Sequence, residues 1–167
     1  MIPSESKSQL SPFPNPHLFE KIYVDQASLE SSVYKRLLAL FDPSLFEIVQ
    51  SDPFKHRGAL SKEQFDRSKK ILWLKPFDGQ FFKRCPGSTQ KKTLSCCNYH
   101  VLNLGQQCNM NCSYCYLQSY LNTPATIIYT NLDKALQELG ELADLHPLQP
   151  FRVGTGEVID SLSLDHL

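Results

Sequence analysis

The segment Cys108-Asn-Met-Asn-Cys112-Ser-Tyr-Cys115 gathers three thiols within eight residues and sets an aromatic directly before the last. Iron–sulfur clusters are held by Cys thiolates, usually four of them, so three thiolates on a four-iron cluster leave one iron open to a small molecule. Closely spaced cysteines also build structural zinc sites. The Cys112 to Cys115 gap suits a zinc half-site, and Cys85, Cys96, Cys97 and His100 are near enough in sequence to supply a fourth ligand. Both chemistries stay open at this point.

The elements that must position the thiols follow them in the chain. Leu132, Ala135, Leu136, Leu139, Leu142 and Ala143 recur at helical spacing, with Thr130 and Asp133 placed as a capping box, and His146-Pro147 ends the helix. Phe151-Arg-Val153 then reads as a short buried strand running into Gly154-Thr-Gly156-Glu157. An ammonium group held near a cationic cluster calls for backbone carbonyls and a carboxylate, and glycines let the backbone approach it unobstructed. Glycine pairs also mark ordinary turns, with the Glu solvated.

The C-x3-C-x-aromatic-C spacing resembles the signature of the radical S-adenosylmethionine enzymes. In that superfamily the methionyl amine and carboxylate of the cofactor occupy the fourth iron of a [4Fe–4S] cluster, and reductive cleavage releases a 5'-deoxyadenosyl radical. The resemblance implies Cys108, Cys112 and Cys115 as cluster ligands, Tyr114 stacking near the adenine, and Gly154, Gly156 and Glu157 as the segment that contacts the methionyl amine. Closer still, Cys112-SYCYLQSYLNTP and the terminal GTGEVIDSLSLDHL resemble the spore photoproduct lyase family. The likeness extends upstream through Ile22-Tyr-Val24, Phe46-Glu-Ile-Val49, Ile71-Leu-Trp-Leu74 and the Cys85-Pro-Gly turn. It implies Tyr116 as a catalytic tyrosine that passes the radical back to the cofactor, an electron donor such as flavodoxin or ferredoxin, and a nucleic-acid lesion as one candidate substrate. One position departs from the family. Its DNA-repairing members carry a hydrogen-donating cysteine near the end of the second barrel strand, where Thr155 stands here.

The expected fold class is α/β, a small N-terminal α/β layer followed by the first strand–helix–strand units of a radical S-adenosylmethionine partial β/α barrel. Residues 1–19 (MIPSESKSQLSPFPNPHLF) read as a flexible tail, 20–93 as the small domain and 94–167 as the start of the barrel. In the small domain a helix from Leu29 to Phe41 carries Leu29, Val33, Leu37 and Leu40 on one face, and Ser61 begins a second, more charged helix. A six-unit barrel needs on the order of 190 residues, and only about 70 remain from Asn98 onward, so the expectation is a truncated barrel.

Composition constrains function only loosely. With 167 residues, 41% hydrophobic residues and a formal charge of zero, the chain can bury one core or two small ones. It has no membrane-length apolar run and no signal-peptide core, so a cytoplasmic protein with reduced thiols is expected. Lys69, Lys70, Lys83, Arg84, Lys91 and Lys92, set among Trp73, Phe77, Phe81 and Phe82, suit either nucleic-acid contact or, more simply, a solvated face. Cys85, Cys96 and Cys97 read first as packed side chains. His17, His56 and His146 lack ligand spacing. The competing classes are a radical enzyme, a cysteine-rich zinc or nucleic-acid binding module, and an inactive fragment.

Overall fold

The computed structural model describes residues 18–54, 58–85, 99–110, 112–116 and 120–163. The readings placed on residues 1–17, His56, the Pro-Gly of the Cys85 turn, Lys91, Lys92, Cys96, Cys97 and residues 164–167 lie outside them.

The small α/β layer forms as its pattern requires. Strands β1 (Lys21–Asp25), β2 (Phe46–Val49) and β3 (Ile71–Lys75) alternate with helices α1 (Ser32–Leu40) and α2 (Lys62–Ser68). All three strands run parallel, β1 central, with Ile22 opposite Phe46 on one side and Leu72 on the other. One face buries Ile22, Val24, Leu72 and Leu74 completely under Leu37 and Phe41, with Leu29, Val33 and Leu40 packed alongside. Phe19 joins this core, its ring 5.8 Å from that of Phe41.

Helix α1 starts later than the expected Leu29. Asp25 accepts from the Ala27 amide and caps a 3-10 turn over Gln26–Ser28, and Ser31 then caps the helix proper by accepting from Tyr34 N. Two short polar side chains thus divide what the apolar spacing presents as one run. Helix α2 begins as expected behind Ser61, in a reciprocal box. Ser61 Oγ accepts from Gln64 N at 3.2 Å, and Gln64 Oε1 accepts from Ser61 N at 2.8 Å.

The sheet then takes the strands that flank the cysteines. β7 (Thr126–Tyr129) lies parallel to β3, and the short β6 (Gly105–Gln106) lies antiparallel to β7, giving the order β2-β1-β3-β7-β6. A second sheet, β4-β5-β8, joins β4 (Phe82–Arg84), β5 (Tyr99–Leu102) and β8 (Arg152–Gly154), with β5 and β8 parallel. Helix α3 (Leu132–Leu145) lies between β5 and β8 in sequence, making the strand–helix–strand unit expected at the start of a barrel.

Three local expectations fail in this second half. The anticipated capping box on α3 is absent. Thr130 Oγ1 instead bonds Ser28 Oγ at 2.7 Å, and the cap residue Asn131 turns its amide to the backbone of Phe77, 2.8 Å from N and 3.0 Å from O. Tertiary partners outcompete the local cap. The helix also turns Leu132, Ala135, Leu139 and Leu142 inward while Leu136 is 65% exposed and Ala143 is exposed. β8 is not buried either, because it is an edge strand, and Val153 remains 44% exposed.

Among the described residues no helix is long and apolar enough to cross a membrane.

Candidate functional site

The cysteine loop leaves the sheet through a constrained residue. Gln107 has φ 68, a left-handed conformation unusual for a side chain of its size, and is 1% exposed. Its Nε2 donates to Ser68 Oγ at 3.0 Å and to Thr123 O at 3.3 Å, which fixes the turn out of β6. Inside the loop the Cys115 amide donates to Cys112 O at 3.0 Å, closing a tight turn between the two cysteines. Met110 N lies 3.4 Å from Cys108 Sγ. None of Cys108, Cys112 and Cys115 is in a disulfide, and each is partly exposed.

The loop faces the turn that follows β8. Cys108, Cys112, Cys115 and Tyr114 line one cavity of about 340 Å³ together with Gly156 and Ile159. That size suits a small-molecule site. The β8 turn is folded on itself, with Thr155 Oγ1 and Ser161 Oγ 2.6 Å apart and Asp160 Oδ1 accepting from Leu162 N at 2.9 Å. Two segments more than forty residues apart in sequence therefore converge.

The other sequence-derived candidates do not line this cavity. Gly154 is a packing requirement, since a Cβ there would collide with the Tyr99 phenol. Glu157 pairs with Lys83 at 3.1 Å. Tyr116 stacks on Tyr120, centroids 6.3 Å apart and planes 21° from parallel, with 76% of its surface exposed. Tyr114, though it lines the cavity, is 90% exposed.

The donor set fits a thiophilic metal or cluster, because three soft sulfur ligands on one short loop open onto a common space. Among the described residues no three His, Cys, Asp or Glu side chains are already drawn together closely enough to hold an ion. Final ligand geometry on such loops is set by the metal itself, since binding and local folding are coupled.

The basic, aromatic stretch resolves into structural roles. Trp73, Phe81 and Phe82 are buried, and the partly buried Phe77 stacks on Tyr129 at 4.2 Å. Lys70 pairs with Glu20 at 2.8 Å, an exposed contact that holds the Glu20 carboxyl below its ordinary value. Lys69, expected on a solvated face, is instead 7% exposed and donates to the Met110 carbonyl at 2.8 Å. Lys69, Ser68 and Gln107 are the site residues that sequence reasoning missed. Their contacts span about forty positions, and no local pattern announces them.

No family model matches the chain, and no curated protein sequence does. Solved structures do match its fold. A double mutant of spore photoproduct lyase with bound AdoMet and dinucleoside spore photoproduct superposes with a TM-score of 0.66 at 19% identity, covering 91% of this chain and 44% of that one. Spore photoproduct lyase complexed with dinucleoside spore photoproduct gives a TM-score of 0.68 at 18% identity, with the same coverage. This chain spans less than half the length of these proteins. The described part of this chain therefore has the fold of a portion of spore photoproduct lyase.

Proposed function

We propose that the chain carries the cluster-binding part of a radical S-adenosylmethionine enzyme of the spore photoproduct lyase kind, with Cys108, Cys112 and Cys115 as ligands of a [4Fe–4S] cluster. The observation that supports it is the shared cavity, where three thiols of one loop and Gly156 of another face the same space. When bound, the cluster supplies the electron that cleaves S-adenosylmethionine to methionine and a 5'-deoxyadenosyl radical. An electron donor of the flavodoxin or ferredoxin kind would supply that electron, in the cytoplasm.

The chain's own residues bind and orient. Gly156 leaves the backbone open toward the methionyl group, and Tyr114 offers a ring to the adenine. Glu157 exchanges Lys83 for the methionyl ammonium, which replaces one cation with another and keeps the carboxylate paired. Gly154 keeps β8 close to Tyr99 and so sets where the Gly156 turn emerges. Tyr116, beside the last cysteine, returns the radical, with Tyr120 stacked against it.

The matched proteins hold a dinucleoside spore photoproduct, and a nucleic-acid lesion is the substrate class proposed here. Thr155 alters the outcome. A thiol S–H is weak enough to give a hydrogen atom to a carbon radical, whereas an alcohol O–H is too strong, and the Thr155 hydroxyl is already bonded to Ser161. Formation of 5'-deoxyadenosine with inefficient reversal of the thymine dimer is the expected result, and Thr155→Cys should raise reversal. Efficient dimer reversal with Thr155 in place would show that another donor serves.

Anaerobic reconstitution with iron and sulfide tests the cluster. About four irons and four sulfides per chain are expected. Tight zinc binding with no cluster would instead establish a zinc module.

A further inference from the structure

We propose that Lys69 is a positioning residue for the cysteine loop and supplies a fixed positive charge that favours the reduced cluster, an inference that rests on the cluster reading above. Lysine is seldom buried, yet Lys69 is 7% exposed. Its Nζ donates to Met110 O at 2.8 Å and lies 4.8 Å from the centre of the Phe65 ring. The neighbouring Ser68, 1% exposed, accepts from Gln107 Nε2 at 3.0 Å. These two bonds grip the loop on either side of Cys108. Gln107 precedes that cysteine and Met110 lies between it and Cys112.

The platform comes from the end of α2, an element of the N-terminal layer, so the layer shapes the site without contributing a thiol. Charge gives the platform a second effect. A four-iron cluster in its 2+ state with three thiolates carries a net charge of −1, and one electron takes it to −2 with no bond made or broken. A cation held out of water near the loop favours the more negative state, and burial leaves its field weakly screened. Contacts of this kind around the ligands tune both affinity and redox balance.

The test compares Lys69→Met, which removes charge and donor, with Lys69→Arg, which keeps both. In the chain without cluster, Lys69→Met should speed hydrogen exchange at the Met110 and Cys115 amides about tenfold, while Lys69→Arg stays near the parent. In the reconstituted chain, Lys69→Met should lower the reduction equilibrium constant about tenfold, which for one electron is about 59 mV, with Lys69→Arg restoring most of it. Unchanged potential in a folded, loaded Lys69→Met chain overturns the proposal. A chain that assembles no cluster contradicts the cluster reading, and the exchange rates then decide the role of Lys69 alone: faster exchange supports it and unchanged exchange overturns it. If Lys69→Met does not fold, the Arg variant decides, since a potential far from the parent with the charge retained also overturns the proposal.

Discussion

The five-stranded sheet encloses Ile22, Val24, Leu72 and Leu74 with no exposed surface, whereas the three-stranded sheet ends on β8 with Val153 at 44% exposure and packs a helix whose Leu136 is 65% exposed. The first region is specified by its own apolar alternation and by caps such as Ser61 with Gln64. The second is held by tethers. Asn131 bonds Phe77, Glu138 accepts from the Phe82 amide at 2.9 Å, and Lys69 bonds Met110. The difference shows where stability and chemistry reside: a packed layer bears the fold, and the loops that carry the thiols lean on it.

The comparison breaks most sharply at the thiols. Replacing any one of Cys108, Cys112 or Cys115 by Ala should abolish cluster assembly while leaving the unfolding midpoint of the sheet intact, whereas Cys85→Ala should retain iron and sulfide. Metal content of purified variants decides this, and a full cluster after loss of Cys112 would contradict the assignment.

In the packed layer the reverse pattern is expected. Leu74→Ala should cost about 2–5 kcal/mol in denaturant unfolding, as a buried leucine leaves a cavity. Leu136→Ala, on the exposed side of α3, should change stability by no more than about 0.5 kcal/mol. Equal losses at the two positions would erase the proposed division.

Glu157→Gln probes the second region from within, since Glu157 follows β8 and its partner Lys83 lies on β4 of the same sheet. Cluster colour should persist while S-adenosylmethionine affinity falls about tenfold to a hundredfold, the weight of roughly 1.5–3 kcal/mol for a charge-assisted contact. Unchanged affinity would leave Glu157 as a partner of Lys83 only.

The smallest effect concerns pH. Burial raises the Tyr129 phenol above its ordinary value, and Gln106 partly offsets this. A group with a raised folded pKa contributes stability below its unfolded pKa, about 10, and loses it as pH rises through the folded value. Stability should therefore decline in the alkaline range, and Tyr129→Phe should flatten that decline in urea midpoints measured across it.

Sequence legibility follows the same division. β1, β2, β3 and α2 could be placed because alternation and the Ser61 box are local, and the thiol triplet was legible because its ligands share eight residues. The start of α1 was missed because Asp25 and Ser31 cap successively. The burial of Lys69, the pairing of Glu157 with Lys83 and the demand of Tyr99 for glycine at 154 depend on residues forty or more positions apart. Local pattern carries no trace of such partners.

The central claim is that three thiolates hold a cluster whose open iron takes S-adenosylmethionine. Electron paramagnetic resonance of the dithionite-reduced, reconstituted chain, recorded with and without S-adenosylmethionine, tests it most directly. A [4Fe–4S]⁺ signal is expected whose shape changes when S-adenosylmethionine is added and does not change with adenosine alone. A cluster signal indifferent to S-adenosylmethionine, or no cluster signal at all, would contradict it.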